Sequence, residues 1–357
     1  MDMELEKLLH QIGSENMAAR EAAHRHWNAC AKPLDGLGLL ETALEDMAAL
    51  TGSPDIDISR RAVLVLCADN GVVAQGVSQT SSDVTAVVAK NLSAGRTSVC
   101  RMARVANCRV VPVDMGILDF PETEGVLSRR VGNGTADMTL GPAMSRSQAE
   151  QAVLTGIELV REQREQGMGL LATGEMGIGN TTSSSAVASV LLGRPAEELT
   201  GRGAGLSDAG LRRKIQAIQK ALEINDPNPA DVLDVLGKVG GFDIAGLCGV
   251  FLGGALYRVP VLIDGFISSV AALCALRLCP QAGKAMFASH VSAEPAGKLV
   301  LDTLGKTPLI TAGMHLGEGT GAVAAIPLLD MACAVYREMY TFEEGGIEAY
   351  QPQGGGT

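Results

Sequence analysis

Met168-Gly169-Leu170-Leu171-Ala172-Thr173-Gly174-Glu175-Met176-Gly177-Ile178-Gly179-Asn180-Thr181-Thr182 carries a short apolar run into a carboxylate, then into glycines, then into hydroxyl side chains. Met168 to Thr173 predicts a buried strand, and Thr181-Thr182-Ser183-Ser184 ahead of Ala186-Val187-Ala188 predicts a capped helix start. N–H groups left free at such a start, at the positive end of the helix dipole, bind phosphate without a large side chain. The glycines permit close backbone approach. The same strand, turn and helix occur in α/β proteins that hold nothing there, so the stretch speaks for a fold class before it speaks for a reaction.

Three further apolar runs repeat the pattern: Ala62 to Ala68, Val110 to Val113 and Val259 to Ile263. Helical segments separate them, and that alternation predicts a Rossmann-like parallel sheet covered by helices on both faces. Each run ends in an acid followed by glycine or a turn: Asp69-Asn70-Gly71, Asp114-Met115-Gly116, Glu175-Met176-Gly177 and Asp264-Gly265. Ligands of open α/β sheets bind beyond the carboxyl ends of the strands, so these loops would line one site. For most of the acids, capping the next helix is the simpler role, and Glu175 is the one assigned to a ligand. Residues 1 to 58 show helical periodicity through Leu5, Leu8 and Leu9 and again through Leu39, Leu40, Leu44 and Met47. The expected division is an α/β core over 59–324, a smaller helical domain from 1–58 and 325–350, and a mobile tail over 351–357.

The chain has 357 residues, 46% hydrophobic but only 3% aromatic, so small aliphatic side chains must pack around its 43 glycines. A net charge of −11 with no basic run argues against a nucleic-acid surface. An anionic substrate would need local collection by helix N-termini and one or two lysines. The eight cysteines are scattered, mostly within apolar runs, and form no CxxC pair, which fits a reducing, cytoplasmic setting. The acidic N-terminus has no signal-peptide pattern. The uncharged stretches Ile244 to Tyr257 and Gly265 to Leu276 fall short of the roughly 18 residues of a membrane span and read as buried helices. Neither CxxC nor HExxH occurs, so no metal is expected.

Leu316-Gly317-Glu318-Gly319-Thr320-Gly321-Ala322 sets one carboxylate among glycines ahead of an apolar helix. Poorly shielded by its neighbours, Glu318 can face a ligand and act as a general base. The stretch also fits the permissive dinucleotide fingerprint GxGxxA, but no clear strand precedes it and Asp330 lies too close to serve as the ribose acid. Thr200-Gly201-Arg202-Gly203-Ala204-Gly205-Leu206-Ser207-Asp208 is a second glycine-rich loop, and Lys214 follows in the helix it opens. No Gly-Lys-Ser/Thr closes it, which excludes a Walker A loop. Lys214 can reach a phosphate or remain a solvated member of Arg212-Arg213-Lys214. Ser289-His290-Val291-Ser292-Ala293-Glu294 lacks a nucleophile elbow and reads as a polar loop donating hydrogen bonds to a ligand.

Taken in order, Cys67 to Val72, Gly174 to Thr182, Lys238-Val239-Gly240-Gly241-Phe242-Asp243, Leu262 to Phe266, Ser289 to Glu294 and Leu316 to Gly319 resemble the nicotinate-nucleotide:dimethylbenzimidazole phosphoribosyltransferase family. The likeness runs from near Lys32-Pro33 to about Met339. It implies transfer of the phosphoribosyl group of nicotinate mononucleotide to an aromatic base, as in cobamide lower-ligand activation, with no cofactor. It also implies a homodimer-like assembly; a heterodimer with a paralogue is a variant that the departures below suggest. By the same resemblance Glu318 is the catalytic glutamate, while Glu175, Gly177, Asn180, Gly203, Lys214 and Ser292 serve the ribose phosphate and nicotinate. Thr80, Val88, Met314 and Leu316 would line the acceptor pocket.

The departures concern the acceptor. Thr80, Val88 and Asn70 stand where many relatives carry serine, glutamine and histidine, and His315 replaces a frequent arginine. An apolar Val88 in place of an amide would relax preference for a benzimidazole nitrogen and admit a phenolic ring, unless a neighbour compensates. The alternatives are therefore a partner-dependent subunit of a two-paralogue enzyme acting on phenol or p-cresol, or a non-catalytic binding subunit. Retention of Glu318 speaks against the last.

Overall fold

The computed structural model describes residues 3–351, so the expected tail lies outside the described residues from position 352 onward. The four apolar runs become strands β1 (Arg61–Ala68), β2 (Arg109–Gly116), β4 (Leu170–Met176) and β5 (Val261–Ile263). β1 is buried along its whole length, as an apolar strand covered on both faces must be. Two strands escaped the sequence: β3 (Leu127–Ser128) and β6 (Met286–Ala288) are two and three residues long, and neither is followed by the acid-glycine turn that closes the other four runs.

All pairings are parallel, in the order β3-β2-β1-β4-β5-β6. The chain steps outward from β1 in one direction and from β4 in the other, which is the doubly wound order with its switch between β1 and β4. Register sets Leu66 beside Glu175 and Cys67 beside Met176, so both strands end at the crevice where the order reverses.

The scarcity of aromatics shows in the packing of helix Phe242–Tyr257 on helix Arg146–Glu165. A Cβ on Gly156 would lie 2.0 Å from Gly246 O, and one on Gly249 would lie 1.9 Å from Val153 O, so only glycine allows this approach.

The two chain ends meet. Trp27, on helix Met17–Ala29, packs edge-on against Tyr336 at 4.9 Å, and Ala31 N donates to Tyr340 O at 3.0 Å. Their buried side chains join the same continuous core as the sheet. The boundary drawn at 324/325 falls inside the unbroken helix Thr320–Glu338. Its first turn stands at the crevice, and its Asp330 pairs with Arg61 at the start of β1, at 2.9 Å for the second of two bonds. This helix is long and apolar enough to cross a membrane by length and composition; its buried flank and the Asp330 pair are those of a core helix.

The predicted helix start after β4 needs one correction. Helix Asn180–Leu192 is capped by Gly179 at φ 92°, with no side-chain cap. Thr182 and Ser184 lie inside the helix, buried, with hydroxyls that find no hydrogen-bond partner among the described residues.

Candidate active site

Beyond the carboxyl ends of β4 and β5 lies a cavity of about 240 Å³. Glu175, Gly177, Asn180, Gly203, Lys214, Ser292 and Glu318 all border it. Sequence positions separated by more than a hundred residues are thereby brought to one space, because β4, β5 and their loops end on the same edge of the sheet.

Glu318 occupies a left-handed backbone position at φ 61°, between Gly317 at 88° and Gly319 at 89°. A side-chain-bearing residue pays conformational strain there, and such strain is held where the surroundings fix the loop. Asp264 does the fixing: its carboxylate accepts the amides of Gly319 at 3.3 Å and Ala322 at 2.9 Å. Gly174 makes room, since a Cβ there would lie 2.6 Å from Glu318 O. The Glu318 carboxylate itself accepts Val99 N at 3.3 Å, at the start of helix Ser98–Val105.

Glu175 is buried, and burial, reinforced by Asp243 and Asp264, pushes its carboxyl up to about 8 against the opposing hydrogen bond from Asn180. It is therefore a neutral acid at pH 7, able to donate a hydrogen bond to a ligand. Lys214 is buried rather than solvated. Its Nζ donates to Thr181 Oγ1 at 2.8 Å and to Gly201 O at 3.1 Å, and burial pulls it down to about 8 with Glu294 acting the other way. Burial also raises Asp264 and lowers His290, each opposed by the other's charge.

A second, more open cavity of about 1080 Å³ adjoins the first, and Leu316 and His315 border both. Met314 borders the second alone. Thr80 and Val88, expected at the acceptor pocket, line neither. The loop before helix Asp83–Ser93 is pinned by Gln79, whose amide donates to Ala204 O at 2.9 Å, so Val77 to Gln79 face the cavity and Thr80 is turned out. Val88 packs against the core from that helix.

Among the other strand-end acids, Asp69 accepts Leu118 N at 2.9 Å, and Asp114 accepts two amides and pairs with Arg130 at 2.7 Å. These are loop-bracing roles. Asp264, His290 and Glu294 line the cavity although sequence reasoning assigned them no individual role; the acid-glycine turn and the polar run held the signal. Among the described residues, no three His, Cys, Asp or Glu side chains are arranged to hold a metal ion.

A family model for phosphoribosyltransferases matches residues 12–347. The nicotinate-nucleotide:dimethylbenzimidazole phosphoribosyltransferase of Acetivibrio thermocellus is 46% identical over 345 residues, spanning 97% of this chain and 98% of that one. The chain belongs to this family. The phosphoribosyltransferase of the same name from Roseiflexus castenholzii is 47% identical over 338 residues, covering 94% and 96% of the two chains. The crystal structure of CobT from Thermus thermophilus superposes with a TM-score of 0.88 at 39% identity, covering 93% of this chain and all of that one. The phosphoribosyltransferase fold thus accounts for the six-stranded parallel sheet, and none of these relatives is named for a phenolic acceptor.

Proposed function

We propose that this phosphoribosyltransferase moves the phosphoribosyl group of nicotinate mononucleotide to dimethylbenzimidazole, giving an α-riboside 5′-phosphate and nicotinate for cobamide assembly. The observation that carries the reading is the convergence of Glu318 and Glu175 with Asn180 and Lys214 on one cavity at the carboxyl edge of the sheet.

Nicotinate departs from a pyridinium, so its departure relieves positive charge and needs no general acid. The incoming base must lose a proton as the new bond forms at C1′. Glu318 takes that proton, and its negative charge also favours the oxocarbenium-like transition state. Attack from the face opposite nicotinate inverts C1′ and gives the α-product. On the donor side, Lys214, Gly203 and the amides around Gly177 hold the phosphate, while Asn180, Ser292 and neutral Glu175 orient ribose and nicotinate. On the acceptor side we assign Leu316 and Met314, which border the wider cavity. Val88 supplied the argument for a phenolic ring, and its place outside both cavities removes that argument.

The family resemblance supports a homodimer, and sedimentation of the purified chain distinguishes it from a chain that needs a paralogue. All eight cysteines are free thiols, which supports work in the reducing cytoplasm. The deciding experiment is nicotinate release from nicotinate mononucleotide by the purified chain with dimethylbenzimidazole. Release that depends on the base supports the reaction; none under any condition overturns it for this chain acting alone.

A further inference from the structure

The run Gly240-Gly241-Phe242-Asp243 has no part in the reaction as assigned, yet its acid is completely buried directly behind the cavity wall. Asp243 stands in the first turn of helix Phe242–Tyr257. The Asn180 amide nitrogen donates to Asp243 Oδ2 at 2.9 Å and also to Glu175 Oε2. Both of its hydrogens are thus committed to acids, and turning the amide over would set its oxygen against the Asp243 carboxylate. The backbone is cleared beside the acid at Gly241, where a Cβ would lie 2.5 Å from Asp243 Oδ1; at Gly177 a Cβ would meet Ala68 O first, at 2.3 Å, and Asp243 Oδ2 at 2.9 Å. A carboxylate needed only at a helix start would require neither this clearance nor a shared amide.

We propose that Asp243 is a positioning residue for phosphoribosyl transfer, which sets the orientation of Asn180 through the shared amide and favours the protonated form of Glu175 by its own charge. The proposal rests on the reaction assigned above. With the amide held, its oxygen is the atom left to accept a hydrogen bond from the donor's ribose, and Glu175 keeps a proton to donate.

The titratable groups facing Glu175 are Asp243 across the amide, Asp264 after β5 and Cys67 on β1; the Glu318 loop contributes a backbone amide. Burial and the two aspartates raise Glu175, whereas the Asn180 amide lowers it. Asp243→Asn removes a like charge, so Glu175 should ionise at lower pH, by about one unit. Asn180→Ala removes the donor to the carboxylate, so Glu175 should ionise at higher pH.

The test follows the carboxyl carbon-13 resonance of Glu175, assigned by its loss in Glu175→Gln, through a pH titration of the full chain, together with the pH profile of kcat/KM. The expected result is a lower titration midpoint in D243N, a higher one in N180A, and an alkaline limb of activity that D243N moves down only while Glu175 is present. A resonance that D243N leaves in place overturns the proposal. Should D243N fail to fold, an unmoved midpoint in N180A overturns it instead. A wild-type chain that releases no nicotinate defeats the reaction, whereas an active wild type with an unmoved midpoint defeats only the role of Asp243.

Discussion

The ammonium of Lys214 meets the hydroxyl of Thr181 at 2.8 Å, joining the helix Asp208–Asn225 to the first turn of helix Asn180–Leu192. Its other hydrogen-bond partner, Gly201 O, is also uncharged, and the negative charge acting on it is that of Glu294 on the same cavity wall.

Lys214 should therefore make donor binding pH-dependent. Burial sets its free-enzyme value near 8, and the protonated form binds phosphate, so donor affinity should fall as pH rises through about 8. Lys214→Met should weaken binding about 10- to 100-fold, the loss of one charge-assisted hydrogen bond, and flatten that dependence. Calorimetric titration with nicotinate mononucleotide on both sides of that pH checks both; equal affinities would refute the assignment.

Glu318→Gln keeps the shape and the contact to Val99 but cannot take a proton. Turnover should fall about 100- to 10,000-fold with donor affinity little changed. A variant with near-normal kcat would remove Glu318 from proton transfer.

Gly174→Ala tests the loop through one methyl group. The new Cβ would lie 2.6 Å from Glu318 O and 2.7 Å from Glu318 C, so the catalytic loop must shift. Expected are a loss of about 1–3 kcal/mol in thermal unfolding and a fall in kcat larger than any rise in donor KM. Unaltered kinetics would show that the position of Glu318 tolerates the shift.

Glu175 should leave a mark on stability. Its native value near 8 lies above the ordinary carboxyl value of 4.5, so the folded chain holds a proton that the unfolded chain releases between those limits. The contribution is fully present below 4.5 and is lost as pH rises toward 8, by up to about 1.4 kcal/mol per pH unit. Glu175→Gln removes the proton exchange, so its Tm relative to wild type should climb across that window. Parallel Tm curves would contradict a neutral Glu175.

The strands β1, β2, β4 and β5 were legible because each is an apolar run closed by an acid and a glycine. β3 and β6 were not, because neither is closed in that way; β5, as short as β6, was betrayed by its Asp264-Gly265 turn. Glu318 and Glu175 were legible as acids set among glycines. Lys214 was ambiguous among Arg212-Arg213-Lys214 until folding buried it while Arg212 and Arg213 stayed toward solvent. The hydroxyl run after Gly179 suggested a side-chain cap, but a left-handed glycine ends the turn without one. Val88 read as a pocket residue by resemblance, and the helix that carries it turns it to the core.

By itself the sequence determined the layered α/β class, the family and the acids at the strand ends, since these follow from local hydrophobic period and from short motifs. Only the tertiary structure decided which acids share a cavity and which brace loops, that one amide joins Glu175 to Asp243, and that Lys214 is desolvated. The reason is physical: charge state and reach depend on burial and on neighbours contributed by distant segments, and no local pattern of residues encodes those distances.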